Sequence, residues 1–333
     1  MAENGAKNMP LLSVRDLAMG FASAKGVLSA VAGISFDVAA GETYALLGES
    51  GCGKSATALA LMRLLPAAGR VLGGEVYLDG RELLGLPETE MRALRGGGMA
   101  MIFQEPATSL NPVMTVGRQI GEVLARRGDL SDDARRAKAE KLLAAVGIAD
   151  AARRLDEYPF QMSGGMKQRV MIAMALAGDP ALLVADEPTT ALDVSIQAQI
   201  IALLKHLARE KGAAVMLVTH DMGVIAETCD RVAVMYAGRI AELGPVHEVI
   251  HAPAHPYSRG LMGSIPAMDE DRERLLQIDG AMPRLNAIPR GCAFNPRCPQ
   301  VFERCRVERP ELMPAGRTQA ACWLHAGAGE VPR

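Results

Sequence analysis

Eight consecutive residues, Gly48-Glu49-Ser50-Gly51-Cys52-Gly53-Lys54-Ser55, fit the spacing G-x-x-x-x-G-K-[ST]. That spacing suits one task, holding polyphosphate. Gly48, Ser50, Gly51 and Gly53 allow a loop whose backbone N–H groups converge on phosphate oxygens. Lys54 would reach the terminal phosphates, and the Ser55 hydroxyl can ligate Mg²⁺. Cys52 is most simply a small loop residue. A carboxylate at the end of a neighbouring strand is the expected complement, and the apolar run Leu182-Leu183-Val184-Ala185 leads into Asp186-Glu187. Asp186 is placed to hold Mg²⁺ through water, and Glu187 to polarise the attacking water as general base. An apolar run ending in Asp-Glu is, alone, equally an ordinary strand end. With the phosphate loop upstream it reads as the second half of a nucleoside triphosphatase.

Ser163-Gly164-Gly165-Met166-Lys167-Gln168-Arg169 supplies another anion cradle. Ser163 is a natural N-cap, Gly164 and Gly165 let the backbone approach an anion, and a helix follows, without the lysine of the first loop. The chain therefore carries two half-sites.

The elements that must position these residues are legible around them. A buried strand at 43–47 runs into the first loop, and an Ala- and Leu-rich helix at 56–65 follows it, ended by Pro66. Residues 74–80 alternate and close on Asp79-Gly80, which predicts a hairpin strand. From about 87 to 159 the pattern is mainly helical, with helices at 116–127 and 131–146, and reads as an insertion into the sheet. From Gly164 onward helix, strand 182–185, helix 196–211 and strand 215–219 alternate. All-apolar strands in such an alternation predict a parallel sheet covered on both faces. Residues 231–243 hold two short strands around Ala237-Gly238, and after about 251 prolines and cysteines mark a small separate module.

Composition narrows the partners. Half the chain is apolar (49%), so wholesale disorder is excluded, and the net charge of -2 gives no global positive field to recruit nucleic acid or anionic lipid. Aromatics at 4% disfavour a single-stranded nucleic-acid reader. The opening residues have no apolar core of the kind an export signal needs, and the longest apolar run, 170–177, cannot span a bilayer.

Five motifs in order resemble those of ATP-binding cassette (ABC) proteins: the phosphate loop, Gln104 in Ile102-Phe103-Gln104-Glu105-Pro106 as the Q-loop, 163–169 as the signature, Thr190-Ala191-Leu192-Asp193 as the D-loop, and His220 as the switch histidine. Met166 departs from the commonest signature, which has Gln there. His255-Pro256-Tyr257-Ser258-Arg259, the cysteine-bearing tail, and Ser109-Leu110-Asn111-Pro112 resemble the ATPase subunits of dipeptide and oligopeptide importers. The resemblance implies an α/β fold: a P-loop NTPase cassette with a mixed sheet core, an antiparallel β subdomain and an inserted helical subdomain at about 87–178, within a nucleotide-binding domain at 1–250. An importer-type extension at 251–333 follows. It also implies ATP and Mg²⁺ as ligands, Gln104 as a further Mg²⁺ contact, and an aromatic stacked on adenine. Phe21 is the candidate for that aromatic, a core phenylalanine being the other reading. The signature of one subunit, with Ser163, Gly164, Gly165 and Asp193, would close over ATP on a second ATPase subunit, a copy or a paralogue. Two transmembrane permease subunits and an extracytoplasmic solute-binding protein would complete the system at the cytoplasmic face of the membrane. The rival is a soluble ABC ATPase acting on DNA or ribosomes, which normally needs a basic surface.

Four of the six cysteines, Cys292, Cys298, Cys305 and Cys322, share the tail. Their intervals match neither zinc ribbons nor ferredoxin runs, so spacing does not name a metal. A Pro-rich segment with few apolar residues needs a staple, and disulfides are poor staples in a reducing compartment. Four thiolates fit Zn²⁺ or an iron–sulfur cluster, free structural thiols being the remaining reading; the relatives of this importer type point to [4Fe–4S].

Overall fold

A computed structural model of the 333-residue chain describes residues 9–326 except 25, 127, 129, 190–193 and 264–277. Two compact units are distinguished.

One unit comprises residues 9–13, 37–43 and 77–218. At its centre strand Leu182–Asp186 runs parallel to Met99–Ile102 on one side and to Ala214–Thr219 on the other. All five residues of the central strand are buried, as a parallel strand covered on both faces requires. Met99–Ile102 corrects the helical reading of its segment. Met-Ala-Met-Ile neither alternates nor favours strand, and its extended state is imposed by pairing, Met99 opposite Leu182 and Ile102 opposite Ala185. The surrounding segment is otherwise helical. Val116–Ala125 is capped by Thr115 and Asp132–Ala145 by Ser131, whose side-chain oxygens accept N–H groups of the first turn. Asp132 and Asp133 complement the dipole of the second helix. These two helices pack on each other and on Gly164–Leu176.

The other unit comprises residues 14–36, 44–76 and 219–326. Strand Leu12–Ser23 lies between Gly26–Val38 and Gly69–Leu78. Thr43–Leu47 runs parallel to Arg231–Tyr236, which turns through Ala237-Gly238 into antiparallel Arg239–Pro245, the hairpin expected from sequence. Two strands then join from the tail: Thr318–Ala320 pairs with Arg239–Pro245, Glu242 opposite Ala320, and Met313–Ala315 pairs outside it. The sheet is thus mixed within this unit alone. Helix Lys54–Leu61 is shorter than the 56–65 expected, because Arg63 takes a positive φ of 50° ahead of Pro66.

The tail does not stand apart as the sequence suggested. Tyr257 and Phe294 are buried against Leu47, Val234 and Tyr236. At about 2 kcal/mol for each large side chain buried, this docking supplies part of the stabilisation that few apolar residues seemed unable to give. No helix among the described residues is long and apolar enough to cross a membrane.

Candidate functional site

The phosphate loop folds back around its own lysine. Lys54 is the first residue of helix Lys54–Leu61, and its buried Nζ donates to the carbonyls of Gly48 at 2.7 Å and Glu49 at 3.2 Å. The ammonium thus sits in the hollow of the loop beside the positive end of the helix. Two positions admit only glycine. A Cβ on Gly53, at φ 110°, would lie 2.8 Å from the Ala30 carbonyl, and one on Gly48 would collide with the carbonyl of Met235. Cys52 is buried, and burial pushes its thiol pKa up, which fits an inert packing residue. Its carbonyl accepts from the Gly238 N–H at 2.8 Å, and the Gly238 carbonyl from the Ala32 N–H at 2.9 Å, tying the loop to the hairpin turn. Ser50 and Gly51 are exposed on the rim, and Ser55 is half-buried.

In the other unit, buried Asp186 ends the central strand and Glu187 follows it. Glu187 takes φ 44°, and its N–H donates to the Val218 carbonyl at 2.8 Å. A left-handed non-glycine residue costs about 1–3 kcal/mol, and such strain concentrates at functional sites. Gln104, just beyond Met99–Ile102, donates from Nε2 to Glu187 Oε2 at 3.0 Å. The fold therefore brings together two residues 83 positions apart that the sequence had assigned to one reaction.

Ser163 caps helix Gly164–Leu176: its Oγ accepts from the Met166 N–H at 3.3 Å and its carbonyl from the Lys167 N–H at 2.9 Å. Both Ser163 and Gly164 are exposed, and among the described residues a Cβ on Gly164 would meet nothing within 4 Å. His220 is exposed after strand Ala214–Thr219, beside Asp221, whose carboxylate caps helix Met222–Thr228 by accepting from the Val224 N–H at 3.2 Å. Phe21 is half-buried, and a ring carbon lies 3.2 Å from the Cβ position of Gly69. Asp193 lies outside the described residues.

Cys292, Cys298, Cys305 and Cys322 are all free thiols and line one cavity of about 10 Å³, which His255 and Trp323 also border. Burial pushes the thiols of Cys292 and Cys322 up to about 11, and that of Cys298 upward, the neighbouring cysteines adding to each shift. The structure does not gather these cysteines into an assembled metal centre. Among the described residues no three His, Cys, Asp or Glu side chains are gathered closely enough to hold one ion. The four thiols come from four separate stretches of the tail.

Residues 31–190 match the ABC transporter family, and residues 241–305 the oligopeptide/dipeptide transporter C-terminal region. The dipeptide transport ATP-binding protein DppD of Bacillus subtilis is 47% identical over 94% of both chains. The oligopeptide transport ATP-binding protein OppD of Salmonella typhimurium is 49% identical over 93% of this chain and 92% of its own. The chain belongs to the ATP-binding subunits of the oligopeptide/dipeptide ABC transporter family. Its fold resembles that of the ATP-binding cassette MJ0796, solved as a dimer with ADP and phosphate, with TM-score 0.64 and 29% identity over 71% of this chain and 98% of that one. It also resembles cbiO1 of Clostridium perfringens, with TM-score 0.63 and 27% identity over 74% and 92% of the two chains. Like other ABC transporter ATP-binding subunits, it is an ATPase that uses ATP and Mg²⁺.

Three residues of this ABC subunit, Glu242 ahead of the tail and Tyr257 and Arg297 within it, had no role in the sequence reading. Buried Glu242 accepts the N–H groups of Ala254 at 2.8 Å and His255 at 2.9 Å and the Thr318 hydroxyl at 3.2 Å, fixing the His-Pro-Tyr segment. Tyr257 and Arg297 both touch Glu49 of the phosphate loop. The His-Pro-Tyr block was the available signal for Tyr257; nothing local in the sequence marks Glu242 or Arg297.

Proposed function

We propose that this subunit hydrolyses ATP to drive import of di- or oligopeptides, or related small polar solutes, through two separate permease subunits. It would work at the cytoplasmic face of the membrane, with a second ATPase subunit and with an extracytoplasmic binding protein that delivers the solute. The observation that carries the reading is the match to peptide-transport relatives across nearly the whole chain, together with the Gln104–Glu187 contact. Those relatives, and the net charge of -2, give no support to action on DNA or ribosomes.

In this reading Lys54 and the loop amides hold the β- and γ-phosphates, and Glu187 takes a proton from the attacking water as general base. The Gln104 amide orients the carboxylate, and His220 hydrogen-bonds the γ-phosphate and keeps the water in line. Ser55, Asp186 and Gln104 are the residues that would hold Mg²⁺, which when bound offsets charge on the phosphate oxygens. Ser163, Gly164 and Gly165 serve the nucleotide of the second subunit, together with Asp193. Phe21 is the candidate to stack on adenine. The exposed surface at 106–115, where Val113 is 80% exposed, would receive a permease helix.

The test is reconstitution with the permeases in vesicles. Peptide uptake and ATPase activity should rise together, and Glu187→Gln should keep ATP binding while lowering turnover about a thousandfold. Turnover near wild type in Glu187→Gln would remove Glu187 as the base, and vesicles that take up no peptide or related solute would remove the transport reading.

The four tail cysteines would hold a [4Fe–4S] cluster with a structural role. What supports this is four free thiols bordering one cavity. Protein purified without oxygen should be brown, with iron and sulfide that fall on Cys298→Ser. Colourless anaerobic protein with stoichiometric zinc would refute the cluster, and protein without metal would refute any centre there.

A further inference from the structure

Glu49, the second residue of the phosphate loop, is held at three points. Its carbonyl accepts from Lys54 Nζ at 3.2 Å, and its N–H donates to the Tyr257 hydroxyl at 3.0 Å. Its carboxylate receives two parallel bonds from Arg297, Nη1 to Oε2 at 2.7 Å and Nη2 to Oε1 at 3.0 Å. Two of the three holds come from the tail, more than 200 residues away in sequence. The Arg297 side chain is 5% exposed, and its remaining donors are engaged: Nε with the Asp279 carbonyl at 2.9 Å, Nη2 with the Ile278 carbonyl at 3.3 Å, and Nη1 with the Tyr236 hydroxyl at 3.4 Å. It ends the turn Asn295–Arg297, directly before Cys298. Asn295 Nδ2 donates to the carbonyls of Arg290 at 2.9 Å and Cys292 at 2.8 Å, so the turn that aims Arg297 is built on the cysteine segment.

A carboxylate inside a loop that must accept three or four negative charges is a liability unless it is compensated. The guanidinium compensates it, and the fork geometry fixes where the loop lies. We propose that Arg297 is a positioning residue for the ATPase reaction, holding the phosphate loop through Glu49 in the shape and at the charge that polyphosphate needs. The proposal rests on residues 48–55 being the phosphate site. It makes nucleotide affinity depend on the folded state of the cysteine module.

The experiment measures MgATP affinity of the full chain with a fluorescent ATP analogue, alongside KM and kcat. Arg297→Gln should weaken affinity and raise KM about tenfold while kcat changes less than about twofold. Arg297→Lys, which keeps the charge and loses the fork, should fall between. Glu49→Gln should tighten binding, because it leaves a positive charge facing the phosphates. The double variant Glu49→Gln/Arg297→Gln should recover most of the loss. Unchanged affinity in Arg297→Gln, or a double variant as weak as the single, would overturn the proposal, the second by reducing Arg297 to a packing role. Should Arg297→Gln fail to fold, Glu49→Gln decides, and affinity at or below wild type overturns it. Lys54→Ala is the control on the underlying reading. Normal binding there would discard the phosphate loop itself, whereas lost binding there with unchanged Arg297→Gln discards the role of Arg297 alone.

Discussion

The chain has two glycine turns that lead into helices, 48–55 and 163–165, and they are built in opposite ways. In the first, the lysine is buried in the loop, Gly48 and Gly53 are pressed against backbone of their own unit, and the tail grips Glu49 from behind. In the second, Ser163 caps the helix, and Gly164 faces open space among the described residues. A glycine pressed against its own chain is there for the fold. A glycine with room for a side chain at a helix end leaves space that, in the proposed reading, the second subunit's nucleotide would take. In the proposed reading the first cradle binds its nucleotide within one chain, and the second serves the nucleotide of another.

Substitution at the two glycines should separate these cases most widely. Gly48→Ala is expected to cost at least about 3 kcal/mol of stability, because the new Cβ would meet the Met235 backbone, which cannot swing away. Thermal unfolding measures it, and a melting temperature unchanged from wild type would break the contrast. The tail's brace on the first loop has a pH limit. His255 accepts the Tyr257 N–H on Nδ1 at 3.0 Å, and burial, helped by His325, pushes its pKa down to about 4. A histidine depressed from 6.5 contributes stability that is present above about pH 6.5 and is lost as pH falls towards 4, by about 3 kcal/mol in all. Denaturant melts between pH 7 and 4 should show this slope, and His255→Asn should flatten it. A slope unchanged in that variant assigns the acid sensitivity elsewhere.

Gly164→Ala should do the reverse of Gly48→Ala. Its stability should stay within about 0.5 kcal/mol of wild type, since the space is open, while turnover in the assembled transporter drops about tenfold because the methyl occupies the place of a phosphate oxygen. Full turnover would show that nothing approaches that turn. The smallest effect is expected for Met166→Gln, which restores the commoner signature residue. The Met166 N–H, not its side chain, makes the cap bond, so turnover should stay within about twofold.

What the sequence revealed follows the same division. Chemistry that needs contiguous residues was readable: the phosphate loop, the Ser163 cap and the Asp186-Glu187 strand end are each local strings whose types state their use. The Ala237-Gly238 hairpin was readable for the same reason. Strand Met99–Ile102 was hidden because its conformation comes from its neighbour at 182–185. The tail strands Met313–Ala315 and Thr318–Ala320 are three residues each, too short for any period to register. Arg297 and Glu242 act as single residues on partners far away in sequence, and only the fold shows what they hold. The tail read as short of apolar residues, yet Tyr257 and Phe294 are buried in one cluster with Leu47 and Val234, which no count of composition could show.

The claim that one cradle is self-sufficient and the other is not can be measured by calorimetric titration of MgATP into the isolated, dilute subunit. The account predicts one site per chain, abolished by Lys54→Ala and unchanged in affinity by Gly164→Ala. Two sites per chain, or equal weakening by the two substitutions, would contradict it.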